Sequence, residues 1–438
     1  MKGLAIVVCA MAAVSAVSVA IATNGMNMIG YDAVSAGLGG ADVAIETGCT
    51  AVASNPANLT TMAKQSFAAN VSLLSPRLSF KNSTMSGVND MDGEVQVFPL
   101  PFIGYGARIG GSGVTWGLAF FAQGGMGVDF QDVRTNFGTR DDIYSNVRYM
   151  RLAPTVAYEL TDKLALGATL HVGYSDIAYK FFPETSYYDP GADGAPMTAD
   201  DMVFPGQELA GAGGMGYAAR IGLRYEISPE LALGASYSTK ANLTYEDGDL
   251  DMNFSSMGLG KVRYEGEVEG FSWPAAAEIG AAFKLLDAHL ILSTELQWIG
   301  WSSALETVTV TGKSPNNAYA PATVEIPFAF NWDDQFVFAF GACYSVSENG
   351  KIRGGWNYGK SPIPDKNVYP LFPATIEHHL SLGYGHTFGH MTVDLTYEHG
   401  VENEVTNPNA DPMTNPFGPD DTTTHAQNTL HMTVSYRI

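Results

Sequence analysis

The sequence predicts an all-β protein, a 14-stranded antiparallel transmembrane β-barrel with an N-terminal plug in its lumen, and three observations carry that prediction. Only 16% of the 438 residues are charged, against about 25% in soluble domains. Little of the surface is therefore built for water. Past the first 22 residues no stretch reaches the roughly 18 consecutive apolar residues of a membrane helix. A closed barrel is the other fold that leaves no backbone group unpaired in hydrocarbon. From residue 67 the chain breaks into alternating segments whose connections are short and long by turns, as in outer-membrane barrels.

The first element is a leader. Lys2 precedes an uncharged apolar run from Gly3 to Ile21, and Ala20-Ile21-Ala22 supplies small residues at its end. This pattern predicts a secretory signal peptide over residues 1–22. Residues 23–66 come next and do not alternate. Their stretch "SAGLGGADVAIETGCTAVASNPANLTTMAK" is rich in small residues, is stiffened at Asn55-Pro56, and predicts a helix after Asn58. A free tail would be more charged and less apolar, so this segment is expected as the plug.

The barrel is expected over residues 67–438. Its strands are read near 67–80, 94–109, 113–130, 147–160, 163–181, 213–226, 230–245, 264–285, 287–300, 334–346, 350–361, 375–388, 389–400 and 427–438. Tight turns fall at "GGSG", "LTDK", "ISPE", "LLDA", "SENG" and "FGHM", with long polar stretches between them. That places the long loops outside the cell and both termini on the periplasmic side.

The phase of the charges says which face meets lipid. Met391, Val393, Leu395 and Tyr397 lie opposite Asp394, and Tyr217, Ile221 and Tyr225 lie opposite Arg220, Arg224 and Glu226. The charged phase is otherwise Gly, Ser, Thr and Ala, which suits a wet or plugged lumen. The apolar phase therefore points outward, where a mid-bilayer Arg or Lys costs about 2–4 kcal/mol. Trp298, Trp301, Tyr397 and Tyr436 are expected in interfacial girdles.

A net charge of -22 excludes nucleic acid as a partner. Three cysteines build no disulfide framework, and pairing of Cys49 with Cys343 is left open. No Cys/His spacing suits zinc. "DGDLD" has Ca²⁺-loop spacing, but Met252 and Gly258 replace the required Gly and Glu. No cofactor, metal or catalytic set is predicted, and the phases show no lipase-like Ser and His pair on the outer wall.

Several motifs recur in one order: Gly37-Leu38-Gly39, then Asn55-Pro56-Ala57, then "FSWPAAAEIG" with its following Trp-Ser strand, then "WDDQFVFAFGACYSVSENGKIRGGWNYGKSPIPD". In these the chain resembles the FadL/TodX outer-membrane transporters of long-chain fatty acids and hydrocarbons, over nearly the whole mature chain. The resemblance implies a hatch bearing the first two motifs and capture of an amphiphile between the loops at 182–212 and 246–262. It also implies lateral release through a kink in the third strand, here at Gln123, Gly124 and Gly125. Paired glycines weaken a strand and mark bulges; alternatively they admit a plug residue closely.

The expected ligand contacts in these loops are Met202, Phe204, Met252, Phe254 and Met257, beside Met197, Leu209 and Leu259, with flexible thioethers that suit varied hydrocarbons; the alternative is that these groups pack only against each other. The resemblance also places a carboxylate-binding cation near Lys180, which strict alternation turns outward unless a bulge intervenes. The family's second basic position falls near Phe328, a departure that favours a neutral hydrocarbon. The C-terminal Ile438 departs from the usual Phe or Trp.

The predicted function is passive uptake of hydrophobic molecules across the outer membrane of a Gram-negative bacterium. The expected partners are a fatty acid or hydrocarbon ligand, outer-membrane lipid and lipopolysaccharide, and the barrel is expected as a monomer. The alternatives are a structural or adhesive barrel and a water-filled porin, the latter disfavoured by the plug.

Overall fold

The computed structural model describes residues 24–192, 201–411, 415–419 and 421–438. The expected signal peptide lies outside the described residues, as does Met197 of the first expected capture loop.

Fourteen strands form the wall. They are β1 Gln65–Thr84, β2 Phe98–Arg108, β3 Val114–Arg134, β4 Arg140–Thr161, β5 Leu164–Asp189, β6 Met202–Ser228, β7 Leu231–Ser238 and β8 Ala276–Leu285, followed by β9 Leu290–Ile299, β10 Gln335–Ser345, β11 Gly350–Gly359, β12 His378–Phe388, β13 Met391–Asn407 and β14 Asp421–Arg437. Each pairs antiparallel with the next. The ring closes where β1 meets β14, in register from Ser66 opposite Arg437 to Lys81 opposite Thr422. All six predicted tight turns join neighbouring strands.

Strand ends differ from the sequence reading in an informative way. β4, β5 and β6 extend well past the predicted limits at their loop ends, because backbone pairing continues into water after the alternation of apolar residues has stopped. The eighth strand begins at Ala276 rather than near 264, since residues 260–269 pair with external segments instead of the wall.

The outward phase is mostly apolar, with Arg77 and Lys81 of β1 and Lys180 of β5 joining it toward the loop ends. Leu395 and Tyr397 are 45% and 48% exposed while Asp394 between them is 2% exposed. The lumen side carries Arg151, Arg220, Arg224, Glu278, Glu295, Arg353, Glu398 and His431, all buried. Buried charges survive when paired and hydrogen-bonded, and here Arg353 meets Asp394 at 2.7 Å and Arg220 meets Glu278 at 3.2 Å. Trp301 corrects the girdle prediction: a 3-10 turn at Trp301–Ser303 folds it into the interior, where it is fully buried.

The segment before β1 sits inside the ring. Helix α1, Ala33–Gly37, starts at Asp32, whose carboxylate accepts from the N–H groups of Val34 and Ser35 at 2.7 Å, a standard N-cap. The helix expected after Asn58 is instead a 3-10 turn over Pro56–Thr61, capped by Asn55. Wall side chains satisfy the plug's irregular backbone, as burial demands. Glu295 accepts from Asp42 N at 3.0 Å and Val43 N at 2.9 Å. Arg224 donates to Ala44 O at 2.8 Å, and Thr433 accepts from Ala33 N at 2.8 Å.

The hatch motifs have separate jobs. Asn55 donates to Val43 O at 2.7 Å within the plug and to Leu223 O of β6 at 2.9 Å. It fits because Gly222 beside it has no side chain: a Cβ there would lie 2.0 Å from the Asn55 amide oxygen. Pro56 and Ala57 follow in the same buried turn. Gly37, Leu38 and Gly39 end α1, and Asn357 of β11 donates to Gly39 O at 3.0 Å.

Candidate functional site

Four external strands extend the sheet beyond the barrel wall. Tyr245–Phe254 pairs with the distal part of β6, then with Gly260–Glu269, which pairs in turn with Thr307–Lys313 and that with Thr323–Ala329. Alternation along them splits the sheet into two faces. Glu246, Asp249, Asp251, Glu265 and Glu269 face water, whereas Tyr245, Leu250, Met252, Phe254, Val262, Tyr264 and Val310 are buried. The result is a roof with an acidic top and a greasy underside.

The two predicted capture loops are therefore not the banks of a groove. Gln207–Gly213 and Glu246–Met252 are paired, edge to edge, in this one sheet. Met252 and Phe254 lie on its buried face, and Phe204 and Met257 pack partly buried against the same apolar cluster. Phe328 also joins it, edge-on to Tyr179 at 5.5 Å. Met202 lies apart, exposed at the start of β6.

Lys180 keeps the outward phase. Tyr179 and Phe181 on either side are buried, and Lys180 lies 3.5 Å from Glu208 of β6 with 40% of its side chain exposed. The bulge needed to turn it inward is absent, because the register shift between Ile177 and Tyr179 puts its extra residue in β6 while β5 keeps its alternation through Phe181. No cation is thus presented to the interior at this position.

Beneath the roof the apolar cluster continues as a column of rings. Phe417 and Phe204 pack on Phe181 at 5.7 and 5.8 Å. Deeper, Tyr149 lies 4.8 Å from Trp273, and Trp301 links Trp273 at 6.1 Å to Trp332 at 5.0 Å. The column ends on Met26 of the plug. Phe204 was an expected contact and Trp301 an expected girdle residue, whereas Tyr149, Phe181, Trp273, Trp332 and Phe417 were missed because they come from several strands and loops; their cue was that "FSWP" and "WDDQF" place Trp just outside regular strand.

The plug's first turn meets the column and the wall together. Asn24 and Asn27 exchange backbone bonds at 3.0 and 3.3 Å. Asn27 Oδ1 accepts from Trp273 Nε1 at 2.8 Å and from Gln123 Nε2 at 3.0 Å. Gln123 also donates to the Tyr31 hydroxyl. Gly125 N donates to Met26 O at 3.2 Å.

At this point β3 is irregular. Its register with β4 shifts between Ala122 and Gly124, a bulge at Gln123, and Gly124 has φ +154. Its pairing with β2 stops at Phe121 opposite Phe102. On that edge the next backbone partners are Met26 and then Glu94, whose N–H donates to Asp129 O at 2.9 Å. Every residue from Phe121 to Val128 is buried, so the two-face alternation is lost. Behind this stretch Met28, Leu74, Phe98, Leu100 and Ala122 form a separate apolar cluster.

Between plug and wall lies a polar cavity of about 40 Å³, lined in part by Tyr31, Asp42, Arg151, Arg220, Glu278 and Glu295. Burial pushes the Asp42 carboxyl up to about 7, with hydrogen bonds from Ser35 and Ser54 opposing the shift.

Taken together, the closed wall, the internal plug and the apolar column under an external roof define a plugged antiparallel β-barrel of the outer-membrane type. The chain belongs to the outer membrane protein transport protein family (OMPP1/FadL/TodX), which it matches over residues 9–437. Solved structures share its fold. The P. putida toluene transporter TodX is 18% identical, with 93% of this chain and 99% of that one covered at a TM-score of 0.75. The Ralstonia pickettii toluene transporter TbuX is 21% identical, covering 93% and 98% at 0.71. A Pseudomonas aeruginosa FadL homologue is 15% identical, covering 94% and 99% at 0.74. No curated protein sequence matches the chain.

Proposed function

We propose that this protein passively admits hydrophobic molecules across the outer membrane of a Gram-negative bacterium and releases them sideways into the bilayer. Cargo is captured under the roof by Phe204, Met252, Phe254, Met257 and Phe328, with Met202 at the rim. It moves down the ring-lined column to the turn at Asn24–Asn27. It leaves through the wall beside Gln123, Gly124 and Gly125 when that turn shifts. No chemical step is involved, and the protein works as a monomer among lipid and lipopolysaccharide.

The observation that carries this reading is the interruption of pairing between β2 and β3, backed by an apolar cluster and filled by the plug's first turn. Neutral hydrocarbons are favoured over fatty acids, because Lys180 points away from the column and Phe328 is apolar. Uptake of labelled toluene and labelled oleate by cells with and without the protein tests the proposal. Faster toluene entry is expected; equal rates for both cargoes in both strains would leave only a structural barrel.

A further inference from the structure

Backbone direction in β2 can be read residue by residue. In an antiparallel strand the N–H and C=O of one residue point to the same neighbour, and successive residues alternate between the two neighbours. Arg108 N donates to Lys64 O, on the β1 side, at 2.7 Å, and Ile109 N donates to Val114 O, at the start of β3, at 2.8 Å. The register of β2 with β1 runs unbroken from Gln65 opposite Ala107 to Leu74 opposite Phe98. Even-numbered residues of β2 therefore bond to β1, and odd-numbered residues face β3.

The sequence at the open end of β2 is Phe98-Pro99-Leu100-Pro101-Phe102. Both prolines are odd-numbered. They occupy the two positions whose N–H groups would cross to β3 immediately beyond the last pair, Phe102 opposite Phe121. Proline has no N–H to offer, and within sheets it is confined to edges or bulges. Pairing with β1 is untouched, since Phe98, Leu100 and Phe102 bear those donors. The wall is thus continuous on one side of β2 and cannot zip on the other.

We infer that Pro99 and Pro101 are positioning residues that hold the β2–β3 seam permanently unzipped, dedicating it to sideways passage of nonpolar cargo. The inference rests on the lateral release proposed above and assigns its persistence to two residues outside β3. The bulge at Gln123 and Gly124 withdraws β3, but a bulge alone leaves β2 with donors able to recapture that edge. The prolines remove them. What remains at the seam is Leu74, Phe98, Leu100 and Ala122, an apolar lining with Met28 of the plug behind it. The seam lies within one membrane-crossing length, about 9–11 residues, of the turn at Ile109 to Gly113, so it opens to lipid.

The test is Pro99→Val with Pro101→Val in the full-length protein, which restores both donors. The variant is expected to give a folded, heat-modifiable barrel that binds toluene as before. Amides 99 and 101 should become protected from hydrogen exchange, and labelled toluene uptake should fall roughly tenfold or more, the shift that two net backbone hydrogen bonds produce. Protected amides with unchanged uptake would overturn the inference, as would reduced uptake without protection. Ala122→Trp separates this from the underlying reading, because it fills the lining whatever the prolines do. If Ala122→Trp stops uptake and the proline variant does not, only the role of the prolines is lost; if neither slows uptake, lateral release is lost too.

Discussion

A Cβ placed on Gly124 would lie 2.0 Å from the carbonyl oxygen of Met26. The wall strand and the plug touch backbone to backbone here, and φ +154 at Gly124 is itself a conformation that side chains disfavour. Gly124→Ala is therefore expected to push the Asn24–Asn27 turn away from β3. Hydrogen exchange at the Gly125 amide, now bonded to Met26 O, should rise, while the amides of β4 stay protected.

Asn27 holds two donors on one oxygen. Asn27→Ala strands Trp273 Nε1 in a buried site and leaves Gln123 Nε2 with its bond to the Tyr31 hydroxyl alone, and an orphaned buried polar group costs about 1–3 kcal/mol. The expected outcome is easier displacement of the turn without loss of the barrel. Trp fluorescence and protease sensitivity near residue 24 would rise together; an unchanged plug would show that Met26 alone secures it.

Arg353 and Asp394 form a nearly dry ion pair across β11 and β13. Breaking a buried pair by removing one partner costs about 3–5 kcal/mol. Arg353→Met should lower the temperature at which the barrel loses its compact gel mobility, and Arg353→Met with Asp394→Leu should recover much of the loss.

Protons should tighten the plug. Asp42 titrates near 7 when docked and near 3.9 when free in water. The docked form holds the proton more strongly, so docking is strongest below about pH 4, weakens as pH rises toward 7, and is flat above it. Conductance in a planar bilayer is expected to rise between pH 5 and pH 7.5. Asp42→Asn should flatten that rise, and an equally steep profile in the variant would remove Asp42 from the cause.

The wall was legible because lipid imposes one rule on every strand. Leu395 outside and Asp394 inside are fixed by period two and by the cost of charge in hydrocarbon, with no need of tertiary detail. The roof was not legible, since Glu246, Asp249 and Asp251 look like any solvated loop, and the alternation of Leu250 with Met252 is too short to distinguish a sheet from a turn. Trp301 was misread because a ring near a strand end suits an interface and an interior equally, and only the turn after Gly300 decides. Lys180 was settled by register in β6, a property of its neighbour. The Pro-x-Pro in "FPLPF" was a readable sign of an open edge that the alternation count passed over.

Closure of the ring carries an implication for biogenesis. The plug precedes the first strand, yet the final strand grips it: Thr433 bonds Ala33, and Arg437 reaches Thr47 O at 3.3 Å. A finished cylinder offers no wide doorway for threading forty residues of compact chain. This earlier-made segment must wait, cradled by half-assembled staves, until the last-made strand arrives to seal it in.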